Sequence, residues 1–161
     1  HIDADAQIVA EHRLDDDDAV AVDFVAQLRR AAYRLTRFQR AEGLVGVDFC
    51  KGVLLSVARG KVTPSPRMAQ LWTPALAVLS PQGEARHILD WPHHKLWKNM
   101  PVVSLCEEVM FLRGQHDTND SKILPAKDGF PVPEDGWDAL LQRRFSIDLP
   151  AFRAAVAGLS V

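Results

Sequence analysis

The sequence is poor in cysteine and lacks the long apolar runs and the charge excess that mark several classes of protein. Its 161 residues include two cysteines, Cys50 and Cys106, too few for a disulfide framework and not arranged as a CxxC pair. Both lie in apolar surroundings, so we expect two buried, reduced thiols. No apolar run approaches the roughly 18 residues of a membrane span. The net charge of −2 excludes a global field that would draw the chain to nucleic acid or anionic lipid.

No signal peptide is visible either, because the first residues carry charge, and we therefore expect a soluble, cytoplasmic protein. The sequence starts with His1 rather than Met, which is compatible with a fragment of a longer chain. Its 47% hydrophobic and 25% charged residues are ordinary for a globular protein, and its length is typical of one domain. We find no internal repeat, so we expect a single domain over residues 1–161.

The clearest element is an amphipathic helix, predicted at about residues 17–42. Apolar residues recur there at helical spacing, which places them on one face. The acidic run DDDD, residues 15–18, stands at its start, and arginines follow on the opposite face. Because acids at the start and bases toward the end both complement the helix dipole, this charge segregation has a structural explanation. The apolar stripe is Val20, Phe24, Leu28, Ala31, Leu35 and Phe38, and the arginines are Arg29, Arg30, Arg34, Arg37 and Arg40.

The next part of the chain carries the β signals. LVGVDF, residues 44–49, alternates as a short strand does, whereas the residues after it fit either a strand or a short helix. VTPSPRM, residues 62–68, contains two prolines and is predicted to be a loop. The strongest signal is a hairpin over 75–91, in which Pro81 and Gly83 stand where a tight turn favours them.

The second half is predicted to be mainly helical. Residues 103–113 read as a helix, with Ser104 and Glu107 at capping-box spacing. Two further helices are predicted at 135–145 and 150–158, the last with a proline in its first turn. Because strands do not alternate regularly with helices, we predict an α+β fold in which a small, mainly antiparallel sheet is packed by the four helices.

The segment HILDWPHHKLW, residues 87–97, combines three histidines with an aspartate and two tryptophans. A catalytic zinc site needs three protein ligands that converge on one point. Convergence here requires the loop to fold back and a distant residue to join it, and no compact motif such as HExxH supports that. The candidate metal ligands are His87, Asp90, His94, His116 and Asp117.

The same segment has the composition of a binding hot spot, because tryptophan offers a large rigid contact area and proline orders the loop. A strand that runs into a loop with surface histidines and anchoring tryptophans is the structural alternative. The proline-rich residues 124–136 form a second loop, which would either strap the core or extend the same surface. The candidate binding residues are Trp91, Pro92, His93, His94, Trp97, Phe130 and Trp137.

The arginine face of the first helix could bind the phosphates of nucleic acid, since each guanidinium fork can contact two oxygens. No recognised nucleic-acid module accompanies it, and a solvated face is the alternative. Neither cysteine is placed as a nucleophile, because acidic neighbours of Cys106 disfavour its thiolate. The sequence also lacks GxSxG and the glycine-rich phosphate loop.

We therefore expect a non-catalytic protein-binding or adaptor domain, with the surface from Trp91 to Trp97 facing another protein. No catalytic residue, no cofactor and no membrane contact are expected, so the sequence leans away from an enzyme. One alternative is a metal-dependent hydrolase that uses the His/Asp set, which predicts a tightly bound metal ion. The other is a nucleic-acid accessory domain that uses the arginine face, which predicts binding that falls steeply as salt rises.

Overall fold

The computed structural model describes residues 7–116, 129–131 and 135–158, which form eight strands and three α-helices. The strands are β1 (Ile8–His12), β2 (Asp18–Val20), β3 (Val45–Phe49), β4 (Lys51–Ala58), β5 (Lys61–Met68), β6 (Leu76–Pro81), β7 (Val102–Leu105) and β8 (Phe111–Gln115). The helices are α1 (Phe24–Glu42), α2 (Gly136–Phe145) and α3 (Leu149–Gly158). Short 3-10 turns occupy Thr73–Ala75, Ile88–Asp90 and His93–Lys98.

The strands form two sheets of four strands each. The first sheet has the order β1-β6-β3-β7 and the second has the order β2-β8-β4-β5. Neighbouring strands are antiparallel except for β3 with β7 and β4 with β8, which are parallel. The α+β class and the mainly antiparallel pairing predicted from the sequence are therefore confirmed. The strands form two sheets, however, rather than the single sheet that was predicted.

The two sheets are joined where three strands of the first sheet continue directly into strands of the second. β1 leads into β2 through residues 13–17, β3 into β4 through Cys50 alone, and β7 into β8 through residues 106–110. The last two crossings run side by side, because Phe49 pairs with Leu105 before the crossing and Gly52 pairs with Phe111 after it. The acidic run of the sequence lies in the first of these crossings.

The main hydrophobic core lies on the face of the first sheet that α1 covers. Phe24, Leu28 and Ala31 of α1 belong to the same buried cluster as Val45 and Val47 of β3. A smaller buried cluster contains Leu76 and Val78, which alternate along β6 with the residues of the main core and therefore face the other side of the sheet. Its other buried members are Leu44, Leu96 and Met100. Because both faces of β6 are covered, its first four residues, LAVL, are continuously apolar rather than alternating.

The first helix begins later than predicted. The prediction started it at about residue 17, but α1 starts at Phe24 and residues Asp18–Val20 pair with β8 as a strand. The Asp15–Asp18 run therefore does not cap this helix. Aspartates satisfy a helix start and an exposed turn equally well, so the dipole argument could not separate the two.

The predicted helix over 103–113 and the predicted hairpin over 75–91 were wrong. The first region holds β7 and β8, and β6 pairs with β1 and β3 rather than with a following strand. Residues after Gly83 form 3-10 turns instead. Apolar residues buried on both faces of a strand can mimic helical spacing over a short window, which is how the first error arose.

The proline-containing stretch 62–68 is also a strand rather than a loop. It belongs to β5, which lies at the edge of the second sheet and pairs only with β4. Pro64 and Pro66 are tolerated there because an edge strand has one side on which no ladder hydrogen bond is required. The strand at 44–49 and the helices at 135–145 and 150–158 are confirmed as β3, α2 and α3.

The two cysteines are bonded to each other, so the expectation of reduced thiols was wrong. Cys50 and Cys106 form a disulfide with Cα atoms 5.1 Å apart, within the usual range. Each follows one of the paired parallel strands β3 and β7, and the Cys50 backbone N–H donates to the Leu105 carbonyl at 3.1 Å. The 56-residue separation in sequence gave no sign of this register. The bond ties together two of the three crossings between the sheets.

Replacing Cys50 and Cys106 together by serine is expected to lower the free energy of unfolding by about 2–4 kcal/mol, because the disulfide restricts the unfolded chain. Urea unfolding followed by tryptophan fluorescence measures the change. Dithiothreitol should lower the stability of the wild type to that of the double variant and leave the variant unaffected. Equal stability of the oxidised and reduced wild type would contradict the expectation.

Within the described ranges, no helix combines the length and the apolar character needed to cross a bilayer.

Candidate functional site

The acidic run forms a turn, here called the acidic turn (Asp15–Asp18), at the crossing from β1 to β2. The Asp18 backbone N–H donates to the Asp15 carbonyl at 3.2 Å, which closes the turn. The guanidinium of Arg13 donates from Nε and from a terminal nitrogen to one oxygen of Asp15, each at 3.2 Å. Turn formation by aspartate, rather than helix capping, is therefore the local role of this run.

The C-terminal end of β8 holds the acidic turn in place. Asp18 lies opposite Arg113 in the strand pair, and the Gly114 backbone N–H donates to Asp18 Oδ1 at 3.2 Å. A Cβ atom on Gly114 would lie 2.3 Å from the Asp17 carbonyl oxygen, so only glycine permits this approach. Beyond β8, Nε2 of His116 is 3.6 Å from a carboxylate oxygen of Asp17.

The electrostatics of this site are unfavourable for negative charge. The pKa of Asp18 is raised from 3.8 to about 6, first by burial and then by the neighbouring charge of Asp17, whereas the hydrogen bond from the Gly114 N–H and the charge of Arg113 oppose the rise. A carboxylate that titrates near neutral pH beside other carboxylates is typical of functional sites. Such a site gains from a cation or a proton, and either would relieve the repulsion.

The donor set of this site suits a shared cation better than a complete protein cage. In the described part of the chain, no group of three or more histidine, cysteine, aspartate or glutamate side chains is placed to hold a metal ion. Magnesium commonly uses one or two carboxylates, and substrate phosphates with water supply its other ligands. Asp17 and Asp18 are consecutive in the chain, and the charge of Asp17 raises the pKa of Asp18, so these are the carboxylates that could take part in such a site.

The structure brings only part of the predicted metal set together. His87 and Asp90 are adjacent, because the His87 backbone N–H donates to Asp90 Oδ2 at 2.7 Å. His87 Nδ1 is 2.8 Å from Glu11, and this contact raises the pKa of His87. His94 is exposed, its ring packs edge-on against that of His93, and His116 contacts the acidic turn instead. Asp117 lies outside the described residues.

The residues of the predicted binding surface divide between anchors and exposed groups. Trp91 is half-buried against the smaller hydrophobic cluster, and His93 donates from Nδ1 to the Leu71 carbonyl at 2.6 Å. Trp97 is 60% exposed, with the Lys98 ammonium 5.4 Å from its ring centre. Pro92 and His94 are exposed as well. Trp91 and His93 therefore anchor the loop, whereas Pro92, His94 and Trp97 face solvent.

Phe130 and Trp137 pack inward. Both are partly buried against the main hydrophobic core, and the Lys51 ammonium lies 4.9 Å from the centre of the Phe130 ring. Neither residue is among those that pack against the smaller hydrophobic cluster, which Trp91 contacts. The inward packing of these two residues is compatible with the predicted strap, whereas residues 124–128 and 132–134 of that loop lie outside the described residues.

The arginine face of α1 is exposed at every predicted position. Arg40 contacts the Gln7 side chain, and Arg30 and Arg34 border a cleft beside β7. The contacts among the described residues therefore differ along the arginine face and do not assign one role to all of it. The nucleic-acid residues remain a prediction: Arg29, Arg30, Arg34, Arg37 and Arg40.

Sequence reasoning missed Asp15, Asp17, Asp18 and Gly114 as site residues. The available signal was the length of the run, because a helix dipole is complemented by one or two acids and four in succession repel one another. Gly114 gave no signal of its own, because it directly follows the helix predicted over residues 103–113 and glycine is common at the end of a helix. Only the pairing of β2 with β8 makes them neighbours.

The fold and this site together describe an α+β protein with two mixed sheets and a carboxylate-rich turn where they join. A family model described as Putative rhamnosyl transferase matches residues 1–128, and the chain therefore belongs to this family. The matched part contains the acidic turn and His116, whereas α2 and α3 follow it. No curated protein and no solved structure matches the chain.

The family corrects the function expected from the sequence. Its description names a group transfer, so the expectation of a non-catalytic protein-binding or adaptor domain was wrong. The sequence offers no compact catalytic motif, and the aspartates of residues 15–18 were explained as the start of a helix rather than as functional groups.

Proposed function

We propose that this protein is a glycosyltransferase that moves a rhamnosyl group from a phosphate-activated donor to a hydroxyl group of an acceptor. The description of its family supports the type of reaction. The choice of site rests on the acidic turn, in which Asp18 accepts a hydrogen bond from Gly114 at the end of β8 and Asp17 lies beside His116. Four acidic residues follow one another in this turn, and the charge of Asp17 raises the pKa of Asp18.

Transfer of a glycosyl group makes one bond and breaks another at C1 of the sugar. The acceptor oxygen bonds to C1, and the C1–O bond to phosphate breaks with its electron pair leaving on the phosphate oxygen. The proton of the acceptor hydroxyl passes to the departing phosphate or to solvent. Negative charge therefore develops on the leaving group, and groups that neutralise it lower the barrier. Carboxylates cannot do this directly, but carboxylates that hold a divalent cation can.

Asp17 and Asp18 fit this role. The raised pKa of Asp18 reflects burial first and repulsion from Asp17 second, and a divalent cation would favour the ionised form of both. Two carboxylates leave coordination positions for the phosphates of a donor and for water. The cation would supply charge neutralisation for the leaving phosphate, and the turn would supply its position.

Two side chains that can donate hydrogen bonds lie next to the same carboxylates. Arg113 is opposite Asp18, and its guanidinium lies 4.9 Å from the centre of the Trp72 ring, which limits its orientation. His116 lies beside Asp17. We assign these two residues to contacts with the phosphates of the donor, because an arginine fork matches phosphate geometry.

Binding of a cation and a diphosphate should stabilise the folded state in proportion to the logarithm of ligand concentration. Thermal unfolding near pH 7.5 with manganese chloride and uridine, guanosine or thymidine diphosphate tests this. The midpoint should rise with at least one of the three nucleotides in the presence of manganese, and the rise should disappear in Asp18→Asn. Glu42→Gln, an exposed acid at the end of α1, is the matched control and should respond as the wild type does.

Two results would oppose the proposal. One is an unchanged midpoint with every combination of manganese and nucleotide. The other is an equal rise in the wild type and in Asp18→Asn, which would place binding elsewhere on the protein.

A further inference from the structure

A second site is suggested by a cleft between α1 and β7, here called the α1–β7 cleft. Its volume is about 350 Å³, at the lower end of the range of small-molecule pockets. One wall is a stripe of α1 that includes Gln27, Arg30 and Arg34. The other wall is β7 with the residues that follow it, among them Glu107 and Glu108. Among the described strands, β7 lies at the edge of the first sheet and pairs with β3, so the cleft opens beside an edge strand.

The polar groups of the two walls differ in their hydrogen-bonding character. The two guanidiniums of α1 can only donate hydrogen bonds, whereas the two ionised carboxylates opposite can only accept them. In the described part of the chain, no salt bridge occupies the side chains of Arg30, Arg34, Glu107 or Glu108. Between the walls lie apolar side chains, including Phe49, Leu105 and Met110.

This combination selects among ligand classes. An anion would be attracted by the arginines but repelled by the glutamates, and a cation would meet the reverse. A wholly apolar ligand would strip water from four charged groups without replacing their hydrogen bonds. A polyhydroxylated ring satisfies all three surfaces, because each hydroxyl both donates and accepts while the ring's carbon face can pack on apolar side chains.

We propose that the α1–β7 cleft binds a saccharide unit of the glycosyl acceptor, at a distance from the hydroxyl that reacts. This inference rests on the proposed function. The backbones of Met110 in the cleft and Arg113 opposite Asp18 are three residues apart along the chain, roughly 10 Å if the chain is extended, and their side chains would then point to opposite faces, so the path for a ligand is at least that long. An acceptor of two or more sugar units spans that distance. Binding energy from such a remote unit can be used to position the reacting hydroxyl.

An array of free oligosaccharides of two to four units, followed by NMR chemical-shift mapping with the tightest binder, tests the inference. The shifts should concentrate on residues that line the cleft. Arg34→Ala and Glu108→Ala should each weaken binding about 10-fold or more, as expected when a hydrogen bond to a charged group is lost. Arg37→Ala is the matched control, because this exposed arginine of the same helix does not line the cleft and should bind as the wild type does.

The inference fails if no saccharide on the array binds, if the shifts map to another surface, or if Arg37→Ala weakens binding as much as Arg34→Ala does. Its failure is distinguishable from that of the proposed function. Asp18→Asn should abolish the stabilisation by manganese and nucleotide but retain saccharide binding in the cleft, whereas Arg34→Ala should do the opposite.

Discussion

Asp18→Asn is expected to lower the rate of rhamnosyl transfer on the order of 100-fold, the size of loss seen when one electrostatic contact to a developing charge is removed. The same substitution should make the fold more stable near neutral pH. The two effects have one cause, since Asp18 is ionised there at a cost to the folded state. Release of the nucleoside diphosphate from a rhamnosyl donor measures the rate, and urea unfolding measures the stability.

The sign of the stability effect follows from the raised pKa of Asp18, which moves from 3.8 to about 6 on folding. Below the lower value the carboxyl is neutral in both states, so folding is not penalised. As pH rises through the interval, the unfolded chain loses its proton first, and the penalty is complete above about 6. Asparagine is neutral throughout and can still accept the hydrogen bond from Gly114.

The stability gain of Asp18→Asn should therefore be present near pH 7.5 and vanish near pH 3.5, which provides an internal control. A structural carboxylate would behave differently, because its removal would cost stability at neutral pH. Destabilisation near pH 7.5, or full transferase activity in the variant, would count against the assignment of the acidic turn as the donor site.

Gly114→Ala is expected to displace the acidic turn and lower the free energy of unfolding by about 1–3 kcal/mol, the usual cost of forcing extra atoms into a packed region. The new Cβ would lie 2.3 Å from the Asp17 carbonyl oxygen, a backbone atom that cannot rotate away. The hydrogen bond from the Gly114 N–H to Asp18 should be strained by the same shift. Urea unfolding and the transfer assay should both report a loss.

Gly158→Ala is the matched control for this substitution. It makes the same chemical change at the end of α3, where a Cβ would have no atom within 4 Å. Alanine is the better helix former, so this variant should be as stable as the wild type or slightly more stable. Wild-type stability and activity in Gly114→Ala would mean that the turn does not depend on the close approach of β8.

Local patterns predicted the elements that depend on neighbouring residues. The stripe of α1 from Phe24 to Leu35, the strand at 44–49 and the two final helices follow from spacing and from turn or proline signals. The stripe was wrong at its end, where Phe38 is 39% exposed and Gln39 is buried instead. The α+β class followed from the order of the elements.

The predictions that failed concern elements whose burial and strand pairing depend on strands distant in sequence. Residues 103–113 carry apolar groups that face different sides of β7 and β8, and this arrangement resembled a helix. The prolines of β5 indicated a loop because nothing in the sequence shows that β5 is an edge strand. The site failed for the same reason, since Asp18 and Gly114 meet only through pairing across 96 residues.

The sequence by itself determined which candidate functional residues are present: a run of four aspartates, a histidine 99 residues after its third member Asp17, and arginines on one side of a helix. Tertiary structure decided what these parts do, because the path of β1 into β2 brings the run to the end of β8 and buries one of its carboxyls. Local propensity acts through bonds between near neighbours, whereas desolvation and repulsion depend on which groups the folded chain brings within a few ångströms of each other.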